Sequence, residues 1–164
     1  RIEAIEQAKI LEDADILIHV GSSQKQNWKR PSVELVKPLL ERYSGSRIIF
    51  IGTSDEYKDT ESFIRQIKEG ASIVNLCGKL TLIELGALMR KSNMVIGGDS
   101  FPIHFAAALG VKTIGIYGPT DWKRTYPFSS HSKLVRMPCK CNKDGALSKK
   151  TLKKIAKCGG ICLH

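Results

Sequence analysis

The chain has 164 residues, 42% of them hydrophobic, and a formal net charge of +10. That length suits one domain with a sizeable core, and no apolar run approaches the roughly 20 residues of a membrane-spanning helix. Residues 1–6 are not followed by the apolar segment of a signal peptide. The charge fits nucleic acid, anionic lipid or an acidic substrate, and equally a solvated lysine-rich surface without a specific partner.

Apolar runs alternate with segments of helical periodicity along the chain. Continuous apolar runs predict buried parallel strands, and apolar residues every three to four positions predict helices. The predicted strands are residues 15–20, 47–52, 72–76, 94–96, 113–117 and 132–136. The predicted helices are residues 1–11, 32–43, 55–69, 81–91 and 100–109. This alternation predicts an α/β fold with a doubly wound parallel sheet.

Two of the predicted helices begin with capping signals. Ser54 is the expected N-cap of the helix over residues 55–69. Thr81 and Glu84 form a capping box for the next helix, with Leu80 and Leu85 at the hydrophobic-staple positions.

Residues 94–120 read as strand, polar turn, tight helix and strand, which is a βαβ crossover. In an open parallel sheet, ligands bind at the turn that follows the carboxyl end of a strand. Free amides near Ser100 and Phe101, at the predicted helix start, favour an anion such as a diphosphate. Asp99 and His104 bring a carboxylate and an imidazole to the same helix end.

The segment Asp99-Ser-Phe-Pro-Ile-His-Phe-Ala-Ala-Ala-Leu-Gly110, followed by Tyr117-Gly-Pro-Thr120, resembles the donor-binding half of the heptosyltransferase-type glycosyltransferases (glycosyltransferase family 9). That family carries an Asp-Ser/Thr-Gly-x-x-His signature, then Ala-Ala-Ala-Leu-Gly and Gly-Pro-Thr. The resemblance extends upstream through residues 78–85 and downstream to the cysteines. Phe101 replaces the signature glycine, which puts a bulky ring where the family's backbone approaches the donor.

The resemblance implies the C-terminal, Rossmann-like half of a two-domain (GT-B) inverting glycosyltransferase. The chain begins without methionine, which also suggests a piece of a longer protein. We expect a lead-in helix (1–13), a nucleotide-sugar-binding domain (14–136) and a cysteine finger (137–164). In the family the proposed base is an aspartate of the N-terminal domain, so no catalytic residue and no catalytic metal are expected here.

The resemblance also implies a set of residues that bind an ADP-sugar, the sugar being heptose or a related one. The expected donor-binding residues are Ser22, Ser23, Lys25, Leu80, Glu84, Asp99, Ser100, Phe101 and His104. Ser22, Ser23 and Lys25 would contact the diphosphate. The family lysine commonly stands just before a tryptophan, so Lys25 is displaced by about one residue from that pattern, and Lys29 is an alternative.

Several of these residues also have a purely structural interpretation. Leu80 would contact adenine through its backbone, and Glu84 would contact the ribose unless it only caps its helix. Asp99 would bind donor unless it is only an N-cap, and His104 would be a phosphate ligand unless it is only an interior histidine. His19, inside a predicted strand, is assigned a structural role.

Four cysteines form a second cluster near the end of the sequence. Cys139-Lys-Cys141 and Cys158-Gly-Gly-Ile-Cys162 are separated by sixteen residues, a spacing that suits a tetrahedral four-thiolate site. Sulfur ligands fit structural zinc or iron equally. Two disulfides or four unlinked thiols are the alternatives. Part of the family carries such a finger. Cys77 is expected in the core.

The resemblance gives a lipopolysaccharide core or a protein as acceptor and a cytoplasmic location, with peripheral contact at the inner face of the membrane left open. A nucleic-acid-binding module is the first rival, but the basic residues are scattered and no aromatic stacking series appears, so no nucleic acid is expected. The second rival is a degenerate family member that acts as a structural subunit, which Phe101 and the displaced lysine would favour.

Overall fold

A computed structural model describes residues 16–22, 26, 29–43, 45–67, 72–127 and 129–137. In this part of the chain the strands are β1 (Ile16–His19), β2 (Arg47–Phe50), β3 (Ser72–Asn75), β4 (Met94–Gly98), β5 (Thr113–Tyr117) and β6 (Ser132–Arg136). The helices are α1 (Val33–Glu41), α2 (Tyr57–Arg65), α3 (Leu82–Lys91), α4 (Phe101–Ala108) and α5 (Trp122–Thr125), with a 3₁₀ turn at Ser54–Glu56. The predicted helix of residues 1–11 lies outside the described residues, as does the predicted finger apart from Met137.

The six strands form one sheet in the order β3-β2-β1-β4-β5-β6, and every neighbouring pair is parallel. The chain builds outward from β1 to β3, returns to the centre, and continues from β4 to the other edge. The strand order therefore reverses between β1 and β4. At such a reversal the connections leave on opposite faces of the sheet and open a crevice at the carboxyl ends of the strands. The topology confirms the predicted doubly wound parallel sheet, and it predicts a ligand crevice between β1 and β4.

Helices cover both faces of this sheet, and each face has its own apolar core. Ile18 and Phe50 pack on one face with Val36 of α1. Leu17 and Ile49 pack on the other face with side chains of α3 and α4. Successive residues of a strand point to opposite faces, so strands covered on both sides must be apolar throughout. This is why β1 and β2 carry continuous apolar runs rather than an alternating pattern.

Helix α3 begins as the sequence predicts. The Thr81 backbone N–H and hydroxyl donate to Glu84 Oε2 at 2.7 and 2.8 Å, and the Glu84 N–H donates to Thr81 Oγ1 at 3.3 Å. Leu80 and Leu85 pack against the same core cluster. The capping box is confirmed, and it fixes the loop before α3.

The start of the preceding helical segment differs from its prediction, because Thr53 and not Ser54 is the N-cap. Thr53 has extended backbone angles (φ −80°, ψ 166°), and the 3₁₀ turn of Ser54–Glu56 comes between it and α2. Two adjacent hydroxyl residues both suit a cap. The choice falls on Thr53 because Glu56, three residues later, returns its carboxylate to the Thr53 N–H at 2.8 Å. Helix α2 ends at Arg65, earlier than predicted.

Candidate functional site

A cavity of about 480 Å³ opens at the carboxyl ends of β1, β2 and β3, beside the start of α4. Its polar lining includes Ser22, which follows β1, Thr53, which follows β2, and Ser100, which precedes α4. The volume lies within the usual range of small-molecule sites, about 300–1,000 Å³. The crevice that the strand order predicts therefore contains a pocket of useful size.

His19, at the end of β1, connects two other elements on the polar side of the cavity. Its Nδ1 lies 2.9 Å from Ser100 Oγ, and its Nε2 lies 3.4 Å from Glu56 Oε2. The Thr53 N–H and hydroxyl also donate to Glu56 Oε2, at 2.8 and 3.1 Å. Burial alone would raise the pKa of Glu56, but His19 and Thr53 together outweigh burial and lower that pKa to about 2. Glu56 is therefore an ionised hydrogen-bond acceptor at neutral pH.

A second polar cluster forms around Asp99, between β4 and α4. Lys29 Nζ lies 3.4 Å from Asp99 Oδ2, and His104 Nε2 lies 3.4 Å from Asp99 Oδ1. The Asp99 side chain is only 9% exposed. Burial acts to raise the pKa of Asp99, but the His104 hydrogen bond and the Lys29 charge outweigh it and lower that pKa. Asp99 thus joins a lysine from the loop after β1 to a histidine of α4.

The opposite side of the cavity is apolar and comes from the segments that begin α3 and α4. Leu80, Leu82 and Leu85 line it together with Phe101. Phe101 is 57% exposed, and its ring stacks on Phe105 with centroids 5.3 Å apart and planes at 22°. The ring forms part of the wall and leaves the cavity open beside it, so the bulk expected at this position does not close the pocket.

Apart from Glu84, the predicted donor-site residues fall into three groups. Ser22, Leu80, Ser100 and Phe101 line the cavity. Asp99 and His104 do not line it but belong to the Lys29–Asp99–His104 cluster at the same end of α4. Ser23 and Lys25 lie outside the described residues.

Glu84 is directed toward its own helix and is not among the residues that line the cavity. Its backbone and side-chain hydrogen bonds from Thr81 lower the pKa of the carboxyl group. Of the two interpretations left open for Glu84, this geometry favours the cap. The acid that lines the cavity is Glu56, which the sequence analysis does not single out. Its signal in the sequence is an acid three residues after a hydroxyl at a strand end, the same capping pattern as in α3.

Two further residues gain importance from the structure. His19, assigned a structural role from its place in a strand, lines the cavity and contacts Ser100. Lys29, the alternative to Lys25, reaches Asp99. Their neighbours are far away in sequence, 81 residues for His19 and Ser100 and 70 for Lys29 and Asp99. Sequence spacing therefore gave no direct signal for either contact.

The four predicted metal ligands, Cys139, Cys141, Cys158 and Cys162, lie outside the described residues. Among the residues that are described, no three His, Cys, Asp or Glu side chains are grouped as a metal site. Cys77 is buried, as expected, with its Sγ 3.5 Å from Thr60 Oγ1. Within the same ranges, no helix is both long and apolar enough to cross a bilayer.

Comparison with known proteins gives heptosyltransferases as relatives. The chain is 37% identical over 82 residues to lipopolysaccharide heptosyltransferase 3 of Escherichia coli, a match that covers 48% of this chain and 24% of that protein. Its fold is similar to the solved structure of E. coli ADP-heptose LPS heptosyltransferase II, with a TM-score of 0.70 at 18% identity over 99% of this chain and 52% of the other.

A second solved structure, E. coli heptosyltransferase WaaC with ADP, gives a TM-score of 0.66 at 18% identity and covers 90% of this chain and 45% of that one. The chain thus spans from about a quarter to about half the length of these proteins. The sequence model of glycosyltransferase family 9 matches residues 5–155. Since that match takes in most of the sequence, the chain belongs to glycosyltransferase family 9 (heptosyltransferase).

Proposed function

We propose that this chain is the donor-binding part of an inverting glycosyltransferase that takes heptose, or a related sugar, from an ADP-sugar. One observation carries the proposal. The cavity at the reversal of strand order has the start of α4 on one side and the Lys29–Asp99–His104 cluster next to it. Membership of the family and the fold shared with a heptosyltransferase solved with ADP support the nucleotide.

The two sides of the cavity suit the two ends of a nucleoside diphosphate. The apolar side, with Leu80 and Phe101, suits the flat face of a nucleobase. Glu56, ionised and in the lining, suits a ribose hydroxyl, as acidic residues do in other nucleotide sites. We assign the ribose to Glu56 and not to Glu84, because Glu56 is among the residues that line the cavity and Glu84 is not.

The diphosphate belongs at the start of α4 in this proposal. Amides of the first helical turn and the positive end of the helix dipole favour an anion there. The hydroxyls of Ser22 and Ser100 line the cavity, and Lys29 and His104 add cationic or donor groups beside Asp99. As the bond to the sugar breaks, these groups would stabilise the negative charge on the departing diphosphate. Ser23 and Lys25 remain predicted contacts of the same phosphates.

The acceptor follows from the relatives alone, whose names include lipopolysaccharide heptosyltransferase. We propose a lipopolysaccharide core sugar, with a protein acceptor as the alternative and peripheral contact with a membrane where such acceptors reside. Assaying a protein in which the family's N-terminal half is joined to this chain, with a heptose-deficient core and with bacterial protein extract, separates the two acceptors. Label on neither would reject both.

We also propose that the four cysteines bind one structural zinc or iron ion. The support is their spacing, since four thiolates complete a tetrahedral shell and leave no open position for chemistry. Elemental analysis of the purified chain should give about one metal ion per molecule. Substituting Cys139 and Cys158 with serine should remove it. An unchanged metal content in that variant, or no metal in the wild type, would reject the site.

The donor proposal is tested by calorimetric titration of the chain with ADP, using GDP and UDP as controls. We expect preferential binding of ADP and a loss of about tenfold or more in affinity in Asp99→Asn, because the substitution weakens the contacts that hold Lys29 and His104 beside the diphosphate site. A charge-assisted hydrogen bond contributes roughly 1.5–3 kcal/mol. The matched control is Asp59→Asn, since Asp59 also pairs with a cation, Arg30, but is exposed. Equal affinity for all three nucleotides would contradict the ADP assignment. Binding of none of them would favour a structural subunit.

A further inference from the structure

His19 occupies an unusual place for a histidine inside a β-strand, because both of its ring nitrogens have partners from other elements. The residue is only 4% exposed. Nε2 faces the Glu56 carboxylate of the 3₁₀ turn, and Nδ1 faces the Ser100 hydroxyl at the start of α4. Glu56 and Ser100 both line the cavity, as does His19 itself. The histidine thus links an ionised acid to a hydroxyl at the proposed diphosphate site.

The Glu56 carboxylate determines which nitrogen of neutral His19 carries the hydrogen. An ionised carboxylate only accepts hydrogen bonds, so the Nε2 that faces it must donate. In neutral His19 the other nitrogen, Nδ1, is then an acceptor. In that neutral form Ser100 donates its single hydroxyl hydrogen to Nδ1 over 2.9 Å, and the 3.2 Å hydrogen bond from Ser100 Oγ to the Gly98 carbonyl oxygen is then not made.

The hydrogen-bond direction reverses when His19 carries a second proton. Both ring nitrogens of the imidazolium donate, so Nδ1 donates to Ser100 Oγ and the hydroxyl hydrogen is released. Ser100 can then donate that hydrogen either to the Gly98 carbonyl oxygen or to an acceptor in the cavity. A phosphate oxygen is an acceptor only, so Ser100 can donate to a diphosphate when His19 is charged and not while its hydrogen is held by Nδ1.

We propose that binding of a nucleoside diphosphate at Ser100 is coupled to uptake of a proton by His19, with Glu56 as the counter-ion that holds the charged ring in place. The inference rests on the proposed function, since it takes the diphosphate to lie at the start of α4. It makes His19 and Glu56 positioning residues that act through Ser100, without contact of their own with the phosphate.

The charges on the surrounding elements favour this coupling. On the 3₁₀ turn, Glu56 is anionic at neutral pH, because the Thr53 N–H and hydroxyl both donate to its carboxylate and its pKa is lowered. Beside Ser100, the charge of Asp99 is shared with Lys29 and His104. Burial raises the pKa of the Cys77 thiol beside Glu56, so it stays neutral. The diphosphate would thus add negative charge on the side of His19 opposite Glu56. The two negative charges would then stabilise an imidazolium between them.

The test measures protons taken up when ADP binds. Calorimetric titrations in buffers of different ionisation enthalpy give that number, and they are repeated from about pH 5.5 to about pH 8.5, where imidazoles lose their proton. ADP also titrates in this range, so the quantity compared is the uptake by wild type minus that by His19→Gln. In the upper part of the range this difference should approach one proton per ADP bound. For each pH unit in that range, the affinity of wild type for ADP should then fall about tenfold more than that of the variant.

His131→Gln is the matched control, because it removes an exposed histidine that is not among the residues lining the cavity and should leave the uptake of protons unchanged. Equal uptake by wild type and His19→Gln would overturn the inference while leaving the proposed function intact. Failure of wild type to bind ADP at all would overturn both.

A second measurement covers the case in which His19→Gln does not fold. Nitrogen-15 spectra of histidine side chains separate the neutral and charged rings in the wild-type chain, before and after ADP is added. The His19 ring should change from the neutral form with hydrogen on Nε2 to the charged form. A ring that stays neutral in the complex at about pH 7.5, in the upper part of the range where free imidazoles are mostly neutral, would overturn the inference without any variant.

Discussion

Phe101 stands where the family signature has glycine. Its ring lines the cavity without filling it. Part of the ring is free to cover an apolar ligand surface, since the residue is 57% exposed. We expect Phe101→Ala to weaken ADP binding about fivefold, the equivalent of roughly 1 kcal/mol of lost apolar burial. Calorimetric titration measures this loss.

Ile83→Ala provides the control for that substitution. Ile83 is 86% exposed and lies on α3 outside the residues that line the cavity. It should leave ADP affinity unchanged. Tighter binding by Phe101→Ala would mean instead that the ring obstructs the donor, and the degenerate-subunit interpretation would gain support.

Glu56 gives the protein a stability term that depends on pH. Its pKa falls from an ordinary 4.5 to about 2 in the folded chain, so the folded state binds this proton more weakly than the unfolded state does. The stabilisation is therefore complete above about pH 4.5 and is lost as the pH falls toward 2. With partial solvent screening we expect it to be about 2 kcal/mol.

Urea unfolding of wild type and Glu56→Gln at a series of pH values measures this term. The variant should be less stable by about 2 kcal/mol near neutral pH, and the two curves should converge in acid. Asp55→Asn changes an exposed carboxylate on the same 3₁₀ turn. Its plot of unfolding free energy against pH should stay parallel to that of wild type. Curves for Glu56→Gln and wild type that remain parallel into acid would refute the assignment.

At the scale of elements, the loops after β2 and β3 depend on one glycine for their close approach. Gly78 has a positive φ of 73°, and a Cβ at this position would lie 2.6 Å from the Ser54 Cα. Its N–H donates to the Gly52 carbonyl oxygen at 2.9 Å. Both loops line the cavity, so a substitution here should damage the site as well as the fold.

We expect Gly78→Ala to lower the free energy of unfolding by about 2–4 kcal/mol, from left-handed backbone strain plus overpacking. Gly110→Ala is the control, because Gly110 has a similar φ of 76° but no atom within 4 Å of its Cβ position. Gly110→Ala should lower the free energy of unfolding by the backbone strain alone, about 1 kcal/mol. Chemical unfolding of both variants gives the comparison, and equal losses would mean that the contact with Ser54 is unimportant.

The elements themselves were largely predictable because each depends on nearby residues. Continuous apolar runs located the strands, and the Thr81–Glu84 capping box located the start of α3. The four-residue helix α5 was missed because it is too short to show a period. A hydroxyl alone does not distinguish Ser54 from Thr53 as the N-cap, whereas the capping box of Thr53 with Glu56, three residues later, is a local signal that does.

The site was only partly predictable, because its contacts join distant parts of the chain. The signature around Asp99 indicated where a ligand would lie. It gave no sign that β1 lies beside β4, which brings His19 to Ser100 across 81 residues. Nor did it show that the acid in the cavity is Glu56, since both Glu56 and Glu84 follow a hydroxyl by three positions.

At the scale of the whole molecule, we expect this chain to bind ADP but to transfer no sugar alone. Transfer needs a base that takes a proton from the acceptor hydroxyl. Neither carboxylate at the described site is that base in our proposal, since Asp99 contacts Lys29 and His104, and Glu56 contacts His19 and Thr53 and is assigned to the donor ribose. The two solved heptosyltransferases are about twice as long, and we expect the base to come from a part of such a protein that this chain does not match.

A transfer assay from labelled ADP-heptose to a heptose-deficient lipopolysaccharide core tests this expectation. The chain alone should show no turnover above background at any concentration that saturates ADP binding. A longer protein, with the family's N-terminal half joined to this chain, should be active, and Asp99→Asn in that protein should reduce kcat/KM by about tenfold or more. Turnover by the chain alone would place the base among its own residues. An inactive longer protein that still binds ADP would instead point to a different sugar or acceptor.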